Sequence, residues 1–83
     1  MYSIEWTRKA LKQLKRIQQQ HQKQIVVSVR SLENWPDCQN VKALVNRPGF
    51  RLRVGSYRVM FEVEDQLRVI EIEEVKKRDD RTY

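Results

Sequence analysis

The most informative segment of the chain is FRLRVGSYRVMFEVED, residues 50–65. Phe50, Leu52 and Val54 alternate with arginines, and after Gly55-Ser56 the apolar residues again occupy every second position. Such alternation is typical of a strand with one buried face. A two-residue turn that begins with glycine commonly joins two antiparallel strands. The segment therefore predicts a β-hairpin.

The same alternation places arginines together on the other face of the hairpin. With the turn at Gly55-Ser56, Arg53 lies directly opposite Arg58, and Arg51 lies two residues along on the same face. Like charges at directly opposed positions destabilise a sheet. An anionic ligand would be their natural complement.

An alternative interpretation is that these arginines are ion-paired on a solvated surface. A second turn at Asp65-Gln66 would put Glu73 opposite Arg58. It would also put Glu71 opposite Met60, on the same face. Both interpretations stay open on the register alone.

The segment before Pro36 has the spacing of a short strand and two helices. Apolar and polar residues alternate over residues 2–6, and Thr7 then occupies a position suited to a helix N-cap. Pro36 ends the second helix at or before Trp35. The apolar stripes of the two helices are Ala10, Leu11, Leu14 and Ile17, then Ile25, Val26, Val29 and Leu32.

A final strand is predicted from Leu67 to about Val75. The residues that can face the preceding apolar row are Arg68, Ile70, Ile72 and Glu74. The resulting order is β-α-α-β-β-β, an α+β fold in which a helical hairpin packs on a small, mainly antiparallel sheet. Residues 1–83 are expected to form a single domain, because a chain of this length builds one modest core.

Charge and cysteine content restrict the class of function. Lys and Arg number 17 against 11 Asp and Glu, and the formal net charge of +6 favours nucleic acid, anionic lipid or an acidic protein as partner. Cys38 is the only cysteine, which excludes an internal disulfide. The spacing of Cys, His and carboxylates indicates no metal, and no cofactor is expected. Without a signal-peptide pattern or a membrane-spanning window, a cytoplasmic protein is expected.

Three segments together carry a resemblance to a known family. They are WTRKALKQLKRI (residues 6–17), FRLRVGSYRVMFEVED (residues 50–65) and IEEVKKRDDRTY (residues 72–83). In this order and spacing they resemble the helix and sheet signatures of RelE/ParE toxins of type II toxin-antitoxin systems. The most specific part is the basic-x-basic strand, the tight turn and the Tyr-Arg pair that follows it. The pattern matches the RelE branch better than the ParE branch.

The resemblance implies a toxin that enters the ribosomal A site, cuts mRNA and is neutralised by a cognate antitoxin. The implied reaction is attack of a 2′-hydroxyl on the adjacent phosphate without a metal, which leaves a 2′,3′-cyclic phosphate end. The chain has no helix-turn-helix, so the resemblance leaves recognition of operator DNA to the antitoxin.

The resemblance also assigns roles to residues. The catalytic set that it implies is Arg51, Arg53, Arg58, Arg78 and Tyr83. The RNA-binding set is Arg51, Arg53, Lys76, Lys77 and Arg81. Planar guanidinium groups suit such roles, because their paired N–H donors can meet the negative charge that develops on phosphate oxygens. Tyr83 would stack on a base.

The identity of a proton acceptor stays open. The best-known members of the family have lysines in the basic strand where this chain has Arg51 and Arg53, and an arginine keeps its proton. Phosphate activation and in-line positioning could also carry most of the catalysis without a base. The candidate bases are Lys76, Lys77, Tyr83 and Glu73.

Two other functions are compatible with the same fold. One is a ParE-like inhibitor of DNA gyrase with no catalysis of its own. The other is a catalytically inactive module that binds an antitoxin, with an acidic partner segment on the arginines. Cleaved mRNA, blocked supercoiling and the absence of toxicity would distinguish the three.

Four other side chains are expected to be structural or incidental. Trp6 and Trp35 are expected to pack in the core or at its edge. His21 is expected on the solvated surface between the helices, away from the sheet. Cys38 has no histidine nearby in sequence, so an incidental free thiol is expected.

Overall fold

The computed structural model describes residues 1–77. The elements are β1 (Ser3–Trp6), α1 (Arg8–Lys15), α2 (Gln19–Arg30), a 3-10 turn (Ser31–Asn34), β2 (Val41–Ala43), β3 (Phe50–Val54), β4 (Tyr57–Glu64) and β5 (Val69–Lys77). The strands form one sheet in the order β1-β5-β4-β3-β2. β1 and β5 are parallel, and the other neighbours are antiparallel. The α+β fold of two helices on a mainly antiparallel sheet is thus confirmed.

Helix α1 begins at the predicted cap. The Thr7 hydroxyl accepts a hydrogen bond from the Ala10 amide at 3.1 Å, which satisfies one of the free donors of the first turn. Ala10 and Leu14 are buried as predicted, whereas Leu11 is exposed. Within residues 1–77, neither helix combines the length and the apolar character needed to cross a lipid bilayer.

Helix α1 lies beside the second half of β5. β1 ends opposite Ile72, so β5 has a free edge beyond that residue. The Thr7 amide donates to the Ile72 carbonyl at 3.0 Å, and the Gln13 side-chain oxygen accepts from the Val75 amide at 2.7 Å. A glutamine side chain thus satisfies a backbone donor that a neighbouring strand would otherwise bond.

The core lies between the helices and one face of the sheet. Phe61 is buried at its centre, and its ring packs edge to face against Trp35 with centroids 5.6 Å apart. Trp35 also packs against Phe50 at 4.7 Å, and Trp6 is half-buried against the hydrophobic core. The predicted packing role of both tryptophans is confirmed.

β2 is a strand that the sequence did not predict. It spans three residues and pairs with β3, with Val41 opposite Leu52 and Lys42 opposite Arg51. Three residues are too few for an alternating pattern to be recognised. The sheet therefore has five strands instead of the predicted four.

The connection from β4 to β5 also differs from the prediction. It is a four-residue loop, 65–68, in which Arg68 has a φ of 55° in the left-handed region. A β-bulge lies opposite the step from Met60 to Phe61 and leaves Glu73 as the extra residue on β5. The longer loop adds two residues and the bulge adds one. The residues of β5 that pair with residues 57–60 therefore lie three positions later in the sequence than predicted.

The bulge changes which residues of β5 reach the core. Ile70 and Ile72 are buried there as predicted, and Val75 joins them. Glu74 was predicted on this face and instead lies on the opposite face, paired with Met60. Arg68 lies in the exposed loop. The strand starts and ends two residues later than predicted.

Candidate nucleic-acid interface

The sheet face opposite the core carries a group of cations, called here the cationic face. β3 alternates so that Leu52 and Val54 point to the core, and the arginines between them point away from it. Residues of β2, β4 and β5 that pair with these arginines, directly or through the next strand, lie on the same face. The members of the cationic face are Lys42, Arg51, Arg53, Arg58 and Lys76.

Arg58 stands between two other cations. Arg53 lies directly opposite it on β3, as predicted from the turn. Lys76 lies opposite it on β5, where the predicted register had Glu73. The bulge and the longer loop are the reason for this difference. The prediction that Glu73 pairs with Arg58 was therefore wrong, and the repulsive row extends over three strands.

Glu74 is the carboxylate next to Lys76 on this sheet face, opposite Met60, where the prediction had Glu71. One of its oxygens accepts a hydrogen bond from the Lys9 ammonium at 3.0 Å, and the other lies 3.1 Å from Lys76 Nζ. The bond from Lys9 holds the pKa of Glu74 below its ordinary value, with a contribution from Lys76 and against the effect of burial. Within residues 1–77, both salt bridges involve Glu74, and neither involves an arginine.

The lowered pKa of Glu74 predicts a pH-dependent contribution to stability. The contribution is complete above the pKa of the unfolded chain and is lost as pH falls through the lower folded pKa. We therefore expect the free energy of unfolding of the wild type to exceed that of Glu74→Gln at neutral pH, with a difference that shrinks on acidification. Urea unfolding of both proteins between neutral and acidic pH measures this difference. A difference that does not change with pH contradicts the prediction.

The Arg58 side chain is half-buried, and its Nε has no hydrogen-bond partner within residues 1–77. Met60, two residues along on the same face, is also buried. A buried donor without an acceptor costs about 1–3 kcal/mol. Such a group calls for an explanation, and an anionic oxygen bound at this face would provide the acceptor.

Lys42 extends the cationic face to the edge of the sheet and was not predicted. It lies opposite Arg51 and lines a concavity of about 240 Å³ together with Arg51, Arg53, Asn40 and Val41. The Arg53 amide donates to the Asn40 carbonyl at 2.9 Å, which ties the loop before β2 to β3. Lys42 could have been found only by predicting β2, and a strand of three residues has no recognisable sequence pattern.

The other half of the same sheet face is acidic. A depression there is lined by Glu5, Glu62, Val63, Glu64, Leu67, Val69 and Glu71. Burial raises the pKa of Glu73, and the nearby Glu62 and Glu71 raise it further. Glu73, a candidate base, thus belongs to the acidic half and not to the row of Arg58. This separation of charge would attract a polyanion to the cationic face and repel it from the acidic half.

His21 and Cys38 lie outside the cationic face. His21 is half-buried, and its Nδ1 lies 3.0 Å from the Tyr57 hydroxyl at the start of β4. The expectation of a solvated histidine away from the sheet was wrong, because α2 packs its first turn on this end of the sheet. Burial raises the pKa of the Cys38 thiol, and Asp37 raises it further. This direction disfavours the reactive thiolate and supports an incidental cysteine.

The C-terminal site residues divide into two groups. Lys76 belongs to the cationic face, whereas the next residue, Lys77, pairs with Tyr57 and so occupies the opposite face of β5. The structure therefore does not bring Lys77 together with the arginines. Arg78, Arg81 and Tyr83 lie outside the described residues, and their roles remain predictions.

Comparisons with known proteins agree with this fold. Residues 4–81 match the sequence model of the ParE toxin of type II toxin-antitoxin systems, parDE. The chain is a type II toxin of the RelE/ParE superfamily. The resemblance inferred from three segments of sequence is thus confirmed for the superfamily. No curated protein matches the toxin significantly in sequence.

Solved structures of both branches of the superfamily share the toxin's fold. The isolated E. coli RelE toxin aligns with a TM-score of 0.83 at 18% identity, covering 99% of this chain and 89% of that one. The archaeal RelE-RelB complex from Pyrococcus horikoshii OT3 aligns with a TM-score of 0.82 at 25% identity, covering 95% and 97%. The chromosomal ParDE system from P. aeruginosa aligns with a TM-score of 0.74 at 22% identity, covering 95% and 98%.

Proposed function

We propose that this toxin is a ribosome-dependent mRNA endoribonuclease of the RelE type. The observation that carries the proposal is the cationic face, where Arg58 stands between Arg53 and Lys76. Like charges at directly opposed positions destabilise a sheet, so this row has an energetic cost in the free protein. The buried Nε of Arg58 adds a donor without an acceptor in residues 1–77. A phosphate group bound at this row would reduce the repulsion between the cations and would supply an acceptor for Arg58 Nε.

The proposed reaction is transesterification of the RNA backbone. The 2′-oxygen bonds to phosphorus, and the bond from phosphorus to the 5′-oxygen breaks. The proton of the 2′-hydroxyl is released, and the departing 5′-oxygen gains a proton. The products are a 2′,3′-cyclic phosphate and a free 5′-hydroxyl. Arg58 would donate to the non-bridging oxygens, where negative charge grows in the transition state.

The candidate proton acceptors are not equally supported by the geometry. Lys77 occupies the opposite face of β5, and Glu73 lies in the acidic half. Lys76 lies 3.1 Å from a Glu74 oxygen, so its ammonium has a carboxylate partner. These positions favour a mechanism in which positioning and phosphate stabilisation supply most of the rate, with Tyr83 as the remaining candidate.

The proposed partners are the ribosome and a cognate antitoxin. Basic residues on one face of the sheet would meet mRNA and rRNA backbones in the A site. An antitoxin segment with acidic side chains would cover the same face and exclude RNA from it. Competition between antitoxin and RNA would then be the basis of neutralisation.

The proposal is tested by inducing expression in a bacterial host and mapping mRNA 5′ ends. The proteins compared are the wild type, Arg53→Ala/Arg58→Ala and Arg30→Ala, whose exposed arginine lies on α2. We expect the wild type and Arg30→Ala to cut translated messages and to spare a matched untranslated message. The double variant is expected to cut neither. Growth arrest by the wild type with intact mRNA overturns the proposal.

A ParE-like gyrase inhibitor is the second candidate, because the matching family is described as the ParE toxin. The ParDE complex also shares the fold. In the same induced cultures, plasmid supercoiling is measured beside the mRNA ends. Relaxed plasmid with intact mRNA supports gyrase inhibition, whereas cut mRNA with normal supercoiling supports the endoribonuclease.

Lys42 is expected to contribute to the affinity for RNA through its charge. Replacing Lys42 with glutamine removes one cation beside Arg51. We expect the slope of log affinity against log salt concentration to fall by about 0.7, the value for one phosphate of a single strand. Titration of the toxin with an uncleavable 2′-deoxy oligonucleotide at several salt concentrations measures the slope. Lys23→Gln on the exposed side of α2 is the control, and equal slopes for the two variants contradict the prediction.

A further inference from the structure

Glu74 is the unexpected group on the cationic face. It lies opposite Met60, between Lys9 on the α1 side and Lys76 on its own strand. Its side chain is 15% exposed, so the carboxylate has lost most of its contact with water. A negative charge at this position also weakens the attraction of the face for a polyanion.

Stability alone is a poor explanation for Glu74. The side chains of Lys9 and Lys76 are 62% and 55% exposed. Ion pairs with exposed partners contribute little to stability, while removing a carboxylate from water is unfavourable. Joining α1 to β5 therefore accounts only for a small stabilisation that disappears on acidification.

The geometry of Lys76 suggests another role. Its ammonium sits on a flexible four-carbon side chain, and the register places Lys76 opposite Arg58. Lys76 Nζ lies 3.1 Å from Glu74 Oε1, an oxygen that is buried and accepts no hydrogen bond within residues 1–77, so the contact is one of charge. The attraction of this buried carboxylate limits where the ammonium can lie. A charge that is already held in place needs less ordering when a phosphate arrives.

We propose that Glu74 is a positioning residue that holds the Lys76 ammonium beside Arg58, so that both cations contact the same phosphate. This inference rests on the proposed endoribonuclease function. Two effects of Glu74 then have opposite signs. Its negative charge reduces RNA affinity, and its hold on Lys76 accelerates the reaction.

The test combines cleavage kinetics with a measurement that needs no cleavage. Single-turnover cleavage of ribosome-bound mRNA gives a maximal rate and a half-saturating toxin concentration. The variants are Glu74→Gln, Lys76→Ala and their double variant, with Lys9→Ala as the matched control because Lys9 contacts the same carboxylate. ¹⁵N relaxation of the lysine ammonium groups in the free toxin reports how ordered Lys76 Nζ is.

We expect Glu74→Gln to lower the maximal rate about tenfold while the half-saturating concentration stays equal or falls. The double variant is expected to be no slower than Lys76→Ala, and Lys9→Ala to retain the wild-type rate. Lys76 Nζ is expected to be ordered in the wild type and mobile in Glu74→Gln.

Several results would overturn the inference. They are a wild-type rate in Glu74→Gln, effects of the two single changes that multiply in the double variant, or an equal loss of rate in Lys9→Ala. A wild-type toxin that cuts no mRNA refutes the proposed function instead. In that case the ¹⁵N relaxation of Lys76 Nζ still tests the positioning role. Equal mobility of Lys76 Nζ in the wild type and in Glu74→Gln refutes it.

Discussion

Arg58→Ala is expected to slow cleavage of ribosome-bound mRNA by a factor on the order of 10²–10³. The guanidinium lies between Arg53 and Lys76, and its Nε is buried without an acceptor in residues 1–77. These features describe a half-buried donor group that has no acceptor among residues 1–77 and is available to a phosphate. Removing a fixed donor to developing negative charge has effects of this size in other enzymes. Single-turnover cleavage at saturating toxin measures the loss.

Arg58→Lys distinguishes geometry from charge. Lysine restores the positive charge but has neither the planar pair of donors nor the Nε group. We therefore expect this variant to recover only a small part of the lost rate. Arg30→Ala, on the exposed side of α2, is the matched control and is expected to cleave at the wild-type rate. Full activity of Arg58→Lys would show that charge alone suffices and would contradict the proposed contact.

The stability of Arg58→Ala completes this prediction. Because Arg58 faces a cation on each side, its removal relieves repulsion worth about 0.2–1 kcal/mol per opposed pair. The aliphatic part of the side chain is lost at the same time, which acts in the other direction. Removal also ends the cost of about 1–3 kcal/mol for the buried Nε without an acceptor. We therefore expect Arg58→Ala to be less stable than the wild type by no more than about 1 kcal/mol. A large loss of stability would mean that missing activity reflects unfolding.

The hairpin from Phe50 to Glu64 could be predicted because its determinants are local. Alternation fixes the two faces, and Gly55 adopts a φ of 55° that suits a tight turn. The opposition of Arg53 and Arg58 follows directly from that turn. This half of the cationic face was therefore accessible from the sequence.

The position of β5 could not be predicted from local pattern in the same way. The buried residues Ile70, Ile72 and Val75 change their spacing from two to three. That change of spacing is the sequence signal of the bulge, but strict alternation through Ile70 and Ile72 predicts a regular strand and does not indicate it. Contacts from distant residues hold the bulged strand, since Thr7 and Gln13 bond to its free edge. The consequence is that Arg58 faces a lysine where a glutamate was expected.

Two other features of the site depend on tertiary contacts. β2 is only three residues long, and its pairing with β3 brings Lys42 to the cationic face. His21 contacts Tyr57 across 36 residues of sequence. Neither pairing has a local signature, because both arise when separate elements pack on the same sheet.

Phe61→Ala is expected to have the largest effect on stability. Phe61 is 1% exposed and lies where the rings of Trp35 and Phe50 meet, with centroids 5.6 and 5.7 Å away. Truncating a buried phenylalanine costs about 3–5 kcal/mol, from lost burial and from the cavity that remains. A chain of 83 residues is expected to have only about 4–12 kcal/mol of stability in total. The variant is therefore expected to lose a large part of it.

Urea unfolding of Phe61→Ala and Leu67→Ala tests this prediction. Leu67 is 74% exposed, so its truncation is expected to change stability by no more than about 0.5 kcal/mol. A similar small change for Phe61→Ala would contradict the central place of this ring in the core. Phe61 lies on the same strand as Arg58 but faces the core. Phe61→Ala should therefore lose cleavage activity only under conditions in which it is unfolded. Arg58→Ala should cleave slowly even when it is fully folded.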